Sequence, residues 1–109
     1  MGSRNVRQTH NKYLRDPKAA AAYINHALAS EDVAIILMAI RNVVDAQQGG
    51  IAGVAEKSAL GRESMYKILS PRGNPKLSTL NSLFHGLGLK IVVRPEDDQS
   101  YIAPEKRVA

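Results

Sequence analysis

Arg62, Glu63, Tyr66 and Lys67 are the side chains best suited to contact chemistry, because their spacing puts them on one face of a short helix. An arginine in such a place can make a bidentate hydrogen bond to guanine, and a glutamate can accept from a cytosine amino group. Tyr66 can touch a thymine methyl or a phosphate, and Lys67 a guanine or a phosphate. Bond-making chemistry has no comparable support. Ser64-Met65-Tyr66-Lys67 matches an acylating Ser-x-x-Lys pattern, but no Lys-Thr-Gly follows it. His10, His26 and His85 stand apart, with no carboxylate or second histidine at metal-ligand spacing. The glycine-rich run Gly49-Gly50-Ile51-Ala52-Gly53 follows a helical pattern rather than a strand and lacks Gly-Lys-Ser/Thr. No nucleophile and base can be paired, so the residues point to a binding protein rather than an enzyme, with no metal or small cofactor implied.

Charge agrees with a polyanionic partner. The 109-residue chain carries a formal charge of +5, distributed unevenly. Residues 1–15 hold Arg4, Arg7, Lys12 and Arg15 and no acid. Residues 61–94 hold Arg62, Lys67, Arg72, Lys76, Lys90 and Arg94 against the single acid Glu63. The stretches 16–60 and 95–109 are each net acidic. A basic excess confined to particular segments is the electrostatic footprint of a nucleic-acid binder.

Positioning those four residues requires a specific arrangement of helices. Ile51–Ala59 and Arg62–Ser70 read as two short helices joined by a tight turn at Leu60-Gly61. Helices so joined cross steeply, which requires a small residue at the crossing and small residues in the turn. Ala55 supplies the first, and Ala59 and Gly61 the second. Met65, Ile68 and Leu69 would pin the second helix from inside against Val54 and Leu60, leaving Arg62, Glu63, Tyr66 and Lys67 outside. In a helix-turn-helix the second helix lies in the major groove. Ser64 is placed for a phosphate or the helix start. Arg72, Asn74 and Lys76, in the loop after the helix, are placed to grip the DNA backbone.

The remaining elements form the support. Residues 1–15 read as a flexible basic arm, 16–94 as the folded domain and 95–109 as a flexible tail. Asp16-Pro17 opens a helix as N-cap and first helical residue, with Ala20, Tyr23, Ile24, Ala27 and Leu28 on its apolar face. Ser30 reads as the N-cap of a helix running to about Gln48, with Val33, Ile36, Leu37, Ile40, Val43 and Val44 as its stripe. Ala34, Ile35, Met38 and Ala39 carry apolarity further round. Such a helix is either central in the core, the expectation here, or gives part of its surface to a partner. Ser78 reads as the cap of a helix with Leu80, Leu83, Phe84 and Leu87 facing inward, stopped by Gly88. Leu89–Arg94 alternates as a strand. A lone strand needs a partner, so Leu89, Ile91, Val92 and Val93 are the expected dimerisation residues, pairing with a second copy or with another protein. The fold class expected is all-α, about five helices of the repressor-like DNA-binding type with a single short C-terminal β-strand.

Cysteine is absent, which removes disulfides and thiolate metal sites and suits a cytoplasmic location. The longest apolar run, Val33–Ile40, is far too short to span a bilayer, and the first residues lack the apolar stretch of an export signal.

The residues 51–70 resemble a Cro/repressor-type helix-turn-helix. Its pattern of alanine, a glycine four residues on and an apolar residue six beyond falls on Ala55, Ala59 and Met65, with alanine in place of the glycine. Ile51 stands where many members carry glutamine. Over residues 13–94 the chain resembles the addiction-module antidote proteins. The matching stretches include Tyr13-Leu14-Arg15-Asp16-Pro17, Gly61–Ser70, Gly73–Leu80 and Leu87-Gly88-Leu89. That resemblance implies an antitoxin that binds a two-fold double-stranded DNA operator as a homodimer, represses its own operon and neutralises a RelE/ParE-type toxin. The alternative from a different class is a protein-interaction module that mainly caps a partner protein, with weak or no DNA binding.

Overall fold

The computed structural model describes residues 12–97. Residues 1–11 of the basic arm and 98–109 of the tail lie outside them. Among the described residues, five α-helices follow a short 3-10 turn at Lys12–Arg15: α1 (Pro17–Leu28), α2 (Val33–Ala46), α3 (Gly50–Ser58), α4 (Arg62–Ile68) and α5 (Leu77–Gly86).

Lys12–Arg15, assigned to the arm by composition, is fastened to the domain. Leu14 is fully buried. Arg15 Nε donates to the carbonyl of Ala46 at 2.7 Å, and Gln47 Nε2 donates to the carbonyls of Leu14 and Val43 at 3.0 and 2.9 Å. The bonds to Val43 and Ala46 satisfy carbonyls at the C-terminal end of α2 that have no partner within the helix, and the bond to Leu14 ties the 3-10 turn to it. Asp16 caps α1 as expected, its carboxylate accepting from the Lys18 N–H, with Pro17 as the first helical residue. Ala20, Ile24 and Ala27 face α2, while Leu28 is exposed. Asn42 Nδ2 donates to the Tyr23 hydroxyl at 2.9 Å and ties the two helices polar side to polar side.

Two helix caps and one strand expected from the sequence need correction. Asp32, not Ser30, is the N-cap of α2, its carboxylate accepting from the Ala34 and Ile35 N–H groups. Ser30 instead bridges the α1–α2 turn, donating to Ala27 O and accepting from Asp32 N. At α5 the N-cap is Lys76 and the helix begins at Leu77, two residues earlier than the Ser78 cap read from the sequence would place it. The predicted strand at Leu89–Arg94 is absent: among the described residues there is no strand, and Ile91, Val92 and Val93 are exposed. The physical reason is that alternation gives a strand only one face, whereas its backbone needs a neighbouring ladder, and the described residues offer none.

The core collects Leu14, Ile40, Val43, Val44, Val54, Met65, Leu69 and Leu83, drawn from the 3-10 turn, from α2 to α5 and from the residue just after α4. On α2 the expected stripe is buried from Leu37 onward, but Val33, Ile35 and Met38 are exposed, so the first half of α2 gives part of its surface to solvent. Among the described residues no helix is long and apolar enough to cross a membrane.

Candidate nucleic-acid interface

The α3–α4 pair is set by its turn. Leu60 N donates to Ala55 O at 3.0 Å and Ala59 N to Glu56 O at 3.4 Å, the paired bonds that close a helix with a left-handed residue. Ala59 is that residue, at φ 59 and ψ 32. The chain leaves it through Leu60 and the extended Gly61, and α4 starts at Arg62. The C-terminus of α5 is closed by the same two bonds, Leu89 N to Phe84 O and Gly88 N to His85 O, with Gly88 at φ 78 in the equivalent place. The turn after α3 therefore has the geometry for which glycine is suited, with an alanine in it.

Inside, α4 is held by Met65 and, immediately after it, Leu69. Both are almost wholly buried, against a core that includes Val54 and Ala55. Ile68 and Leu60 are half-buried against the same core. Truncating Met65 to alanine would cost about 2–5 kcal/mol, which marks it as the anchor of α4. Outside, Arg62, Glu63, Ser64, Tyr66 and Lys67 are all exposed. Shallow, open depressions lie on either side of Tyr66, one bounded by Gly61, Arg62, Glu63 and Ser64, the other by Glu63, Ser64, Lys67 and Ser70. Such a surface suits a broad partner rather than a small enclosed substrate. Glu63 sits in the first turn of α4, where the helix dipole favours a carboxylate.

Arg72, Asn74 and Lys76 are exposed on the loop that leaves α4. That loop is constrained at Gly73, where a Cβ would collide with the Ile68 carbonyl, so the chain must double back close to the end of α4. Ser64 therefore lies with the four outward residues, and Arg72, Asn74 and Lys76 follow at their C-terminal side. Leu89, Ile91, Val92 and Val93 come after α5 and do not line this face.

One residue of the face escaped sequence reasoning. Arg41, half-buried on the flank of α2, places its guanidinium carbon 6.0 Å from the centroid of the Tyr66 ring. Its other partner is Asp45, Nε to Oδ2 at 3.7 Å, with both side chains partly exposed. Helical spacing alone puts Arg41 on the flank of the stripe of α2, four residues after Leu37 and three before Val44. It does not show which helix lies beside it.

Comparison with known proteins adds the family. A model of probable addiction module antidote proteins matches residues 6–95. An uncharacterized protein of Haemophilus influenzae is 26% identical over 83 residues, covering 76% of this chain and 84% of that protein. No solved structure matches the chain. With well over half of its 109 residues matched, the chain belongs to the family of probable addiction module antidote proteins, the antitoxin side of toxin–antitoxin pairs.

Proposed function

We propose that this antidote is a sequence-specific DNA-binding repressor of its own operon as well as the neutraliser of a RelE/ParE-type toxin. The α3–turn–α4 unit acts as a helix-turn-helix, and α4 enters the major groove. Arg62, Glu63, Tyr66 and Lys67 contact bases, and Ser64, Arg72, Asn74 and Lys76 hold the phosphates and fix the register. The observation that carries this reading is the division of α4. Met65 and the adjoining Leu69 are sealed into the core, while an uninterrupted polar and basic face is turned outward beside the Ala59 turn.

The protein works as a homodimer on a two-fold operator, with half-sites about one DNA turn apart or a multiple of that. Ile91, Val92 and Val93, exposed apolar side chains in a row, with half-buried Leu89, supply surface for a second copy. No enzymatic step is involved.

The test is binding to the protein's own promoter fragment against mixed-sequence DNA. Arg62→Ala and Lys67→Ala should weaken promoter binding while leaving a complex with the toxin intact. If neither changes DNA affinity, α4 is not the recognition helix.

A further inference from the structure

The end of the α1–α2 hairpin carries an exposed apolar surface separate from the Ile91–Val93 run. Leu28, Val33, Ile35 and Met38 are 46%, 62%, 46% and 60% exposed. Ala34, Ile35 and Met38 share one arc of α2, and Leu28 and Val33 stand at the turn between the helices. Ile35 and Met38, exposed together on that arc with Ala34 beside them, form the centre of the surface, and large apolar side chains exposed together mark an interaction site. Among the described residues the formal charge beside it on these two helices and their turn is net acidic, Glu31, Asp32 and Asp45 against Arg41, which is paired with Asp45. From Ala19 to Ile40 there is no lysine or arginine, in a chain with 15 of them, and the turn carries Glu31 and Asp32. Glu31 also sits in the left-handed region at φ 59, which disfavours any residue but glycine, asparagine or aspartate.

We infer that this apolar, acid-rimmed surface is where the antidote seats its toxin, and that the toxin meets it with a basic surface. The inference rests on the toxin partner that the family implies and adds which face takes it and with what chemistry. Charge complementarity selects the occupant. DNA is repelled by Glu31 and Asp32, and Arg41 at the edge of the patch is already paired with Asp45. A second copy meeting this patch across a two-fold axis would bring the same acids of both chains together. A basic protein gains both the apolar burial and the ion pairing. The patch ends at Met38, less than one helical turn before Arg41, so a bound protein reaches the edge of the α4 face.

The test uses the full chain, titrated with the purified product of the neighbouring reading frame at low and at higher salt. Ile35→Lys and Met38→Lys should each weaken that complex at least tenfold, with promoter binding and melting temperature unchanged. Both positions are exposed and lysine is a good helix former, so the fold should not suffer. Glu31→Gly should weaken the complex several-fold while raising the melting temperature by a few degrees, an opposition that a merely structural role for Glu31 does not produce. The wild-type complex should loosen as salt rises.

Unchanged affinity of both lysine variants, with the wild type binding, places the toxin elsewhere. A salt-independent complex that Glu31→Gly leaves unaltered overturns the basic contact. If Ile35→Lys sediments as a monomer where the wild type is a dimer, the occupant is a second copy, and if it loses promoter binding, the occupant is DNA. Failure of the wild type to bind that product at all removes the toxin reading itself, and this inference with it.

Discussion

Arg41 and Tyr66, on different helices, form a cation–π contact across the α2–α4 boundary, with the guanidinium carbon 6.0 Å from the ring centroid. Exposed contacts of this kind are worth about 0.5–1 kcal/mol, and the competing pair with Asp45 is a surface ion pair of little net value. The arginine is therefore restrained but not committed. It can swing from Asp45 to a phosphate while still steadying the Tyr66 ring. Arg41→Ala is expected to weaken binding to all DNA sequences by roughly 1 kcal/mol and to flatten the salt dependence by about one unit, with stability changed by less than about 0.5 kcal/mol. Arg41→Lys should keep the salt slope, because its charge remains, but lose the flat stacking of the guanidinium. Filter-binding titrations across a salt series check this. An unaltered slope in Arg41→Ala would exclude the phosphate role.

Base and backbone contacts should separate by specificity. Arg62→Ala is expected to cost about 1–3 kcal/mol on the promoter and to relax discrimination at one base position, whereas Lys76→Ala should weaken binding about equally on every sequence. Selection of binding sites from a randomised pool, by each variant, reads the difference directly. An unrelaxed motif for Arg62→Ala would remove Arg62 from the base contacts.

What could be read from the sequence was the local chemistry. Asp16-Pro17 announces a helix start because a carboxylate cap and a donor-free proline satisfy the same end of the same helix. Ala55 and Met65 announce the α3–α4 unit because each side of a tight crossing tolerates few residues. The misreadings have tertiary or competing causes. Ser30 and Asp32 both have capping side chains, and only the path of the α1–α2 turn decides that Asp32 takes the helix. Leu89–Arg94 alternates correctly for a strand, yet alternation cannot supply a ladder. Arg41 was invisible as a member of the α4 face because its position depends on how α2 packs, not on its neighbours in sequence.

The dimer proposal makes a prediction at the chain's C-terminal side. Val92→Asp and Val93→Asp put a charge on side chains that are 54% and 82% exposed in the single chain, so the monomer fold should melt unchanged apart from any contribution of assembly. Sedimentation equilibrium is expected to show dissociation, and promoter affinity to fall as the two half-sites lose their linkage. Variants that still sediment as dimers would move the interface away from this segment.

Ala59 gives a prediction on stability alone. The equivalent turn after α5 carries Gly88, and the left-handed conformation costs an alanine about 1 kcal/mol or more. Ala59→Gly is expected to stabilise the protein by roughly 0.5–1 kcal/mol, the strain relief being partly offset by the freedom glycine gains when unfolded. DNA affinity should not fall, since the turn geometry is the one already adopted. Urea unfolding measures the gain. A loss of stability would mean that Ala59's methyl makes contacts outweighing the strain.

The α3–α5 contact yields a coupled pair. Ser58 is buried, its hydroxyl has no hydrogen-bond partner among the described residues, and a Cβ on Gly86 would collide with it. Gly86→Ala is therefore expected to destabilise by about 1–3 kcal/mol through overpacking. Ser58→Ala removes a hydroxyl that is buried without a partner and should be neutral or stabilising by up to about 1 kcal/mol. Combined, the two substitutions should cost less than their separate effects suggest, because the oxygen that the added methyl would strike is gone. The relief is incomplete, since Ser58 Cβ and its backbone nitrogen lie 3.2 and 3.3 Å from the same point. A double-mutant cycle by chemical denaturation measures this coupling, expected at about 0.5 kcal/mol or more. Strict additivity would show that the two helices move apart to admit the methyl instead of pressing it against Ser58. In that case the loss should also appear as weaker DNA binding, because α3 carries the turn that sets α4.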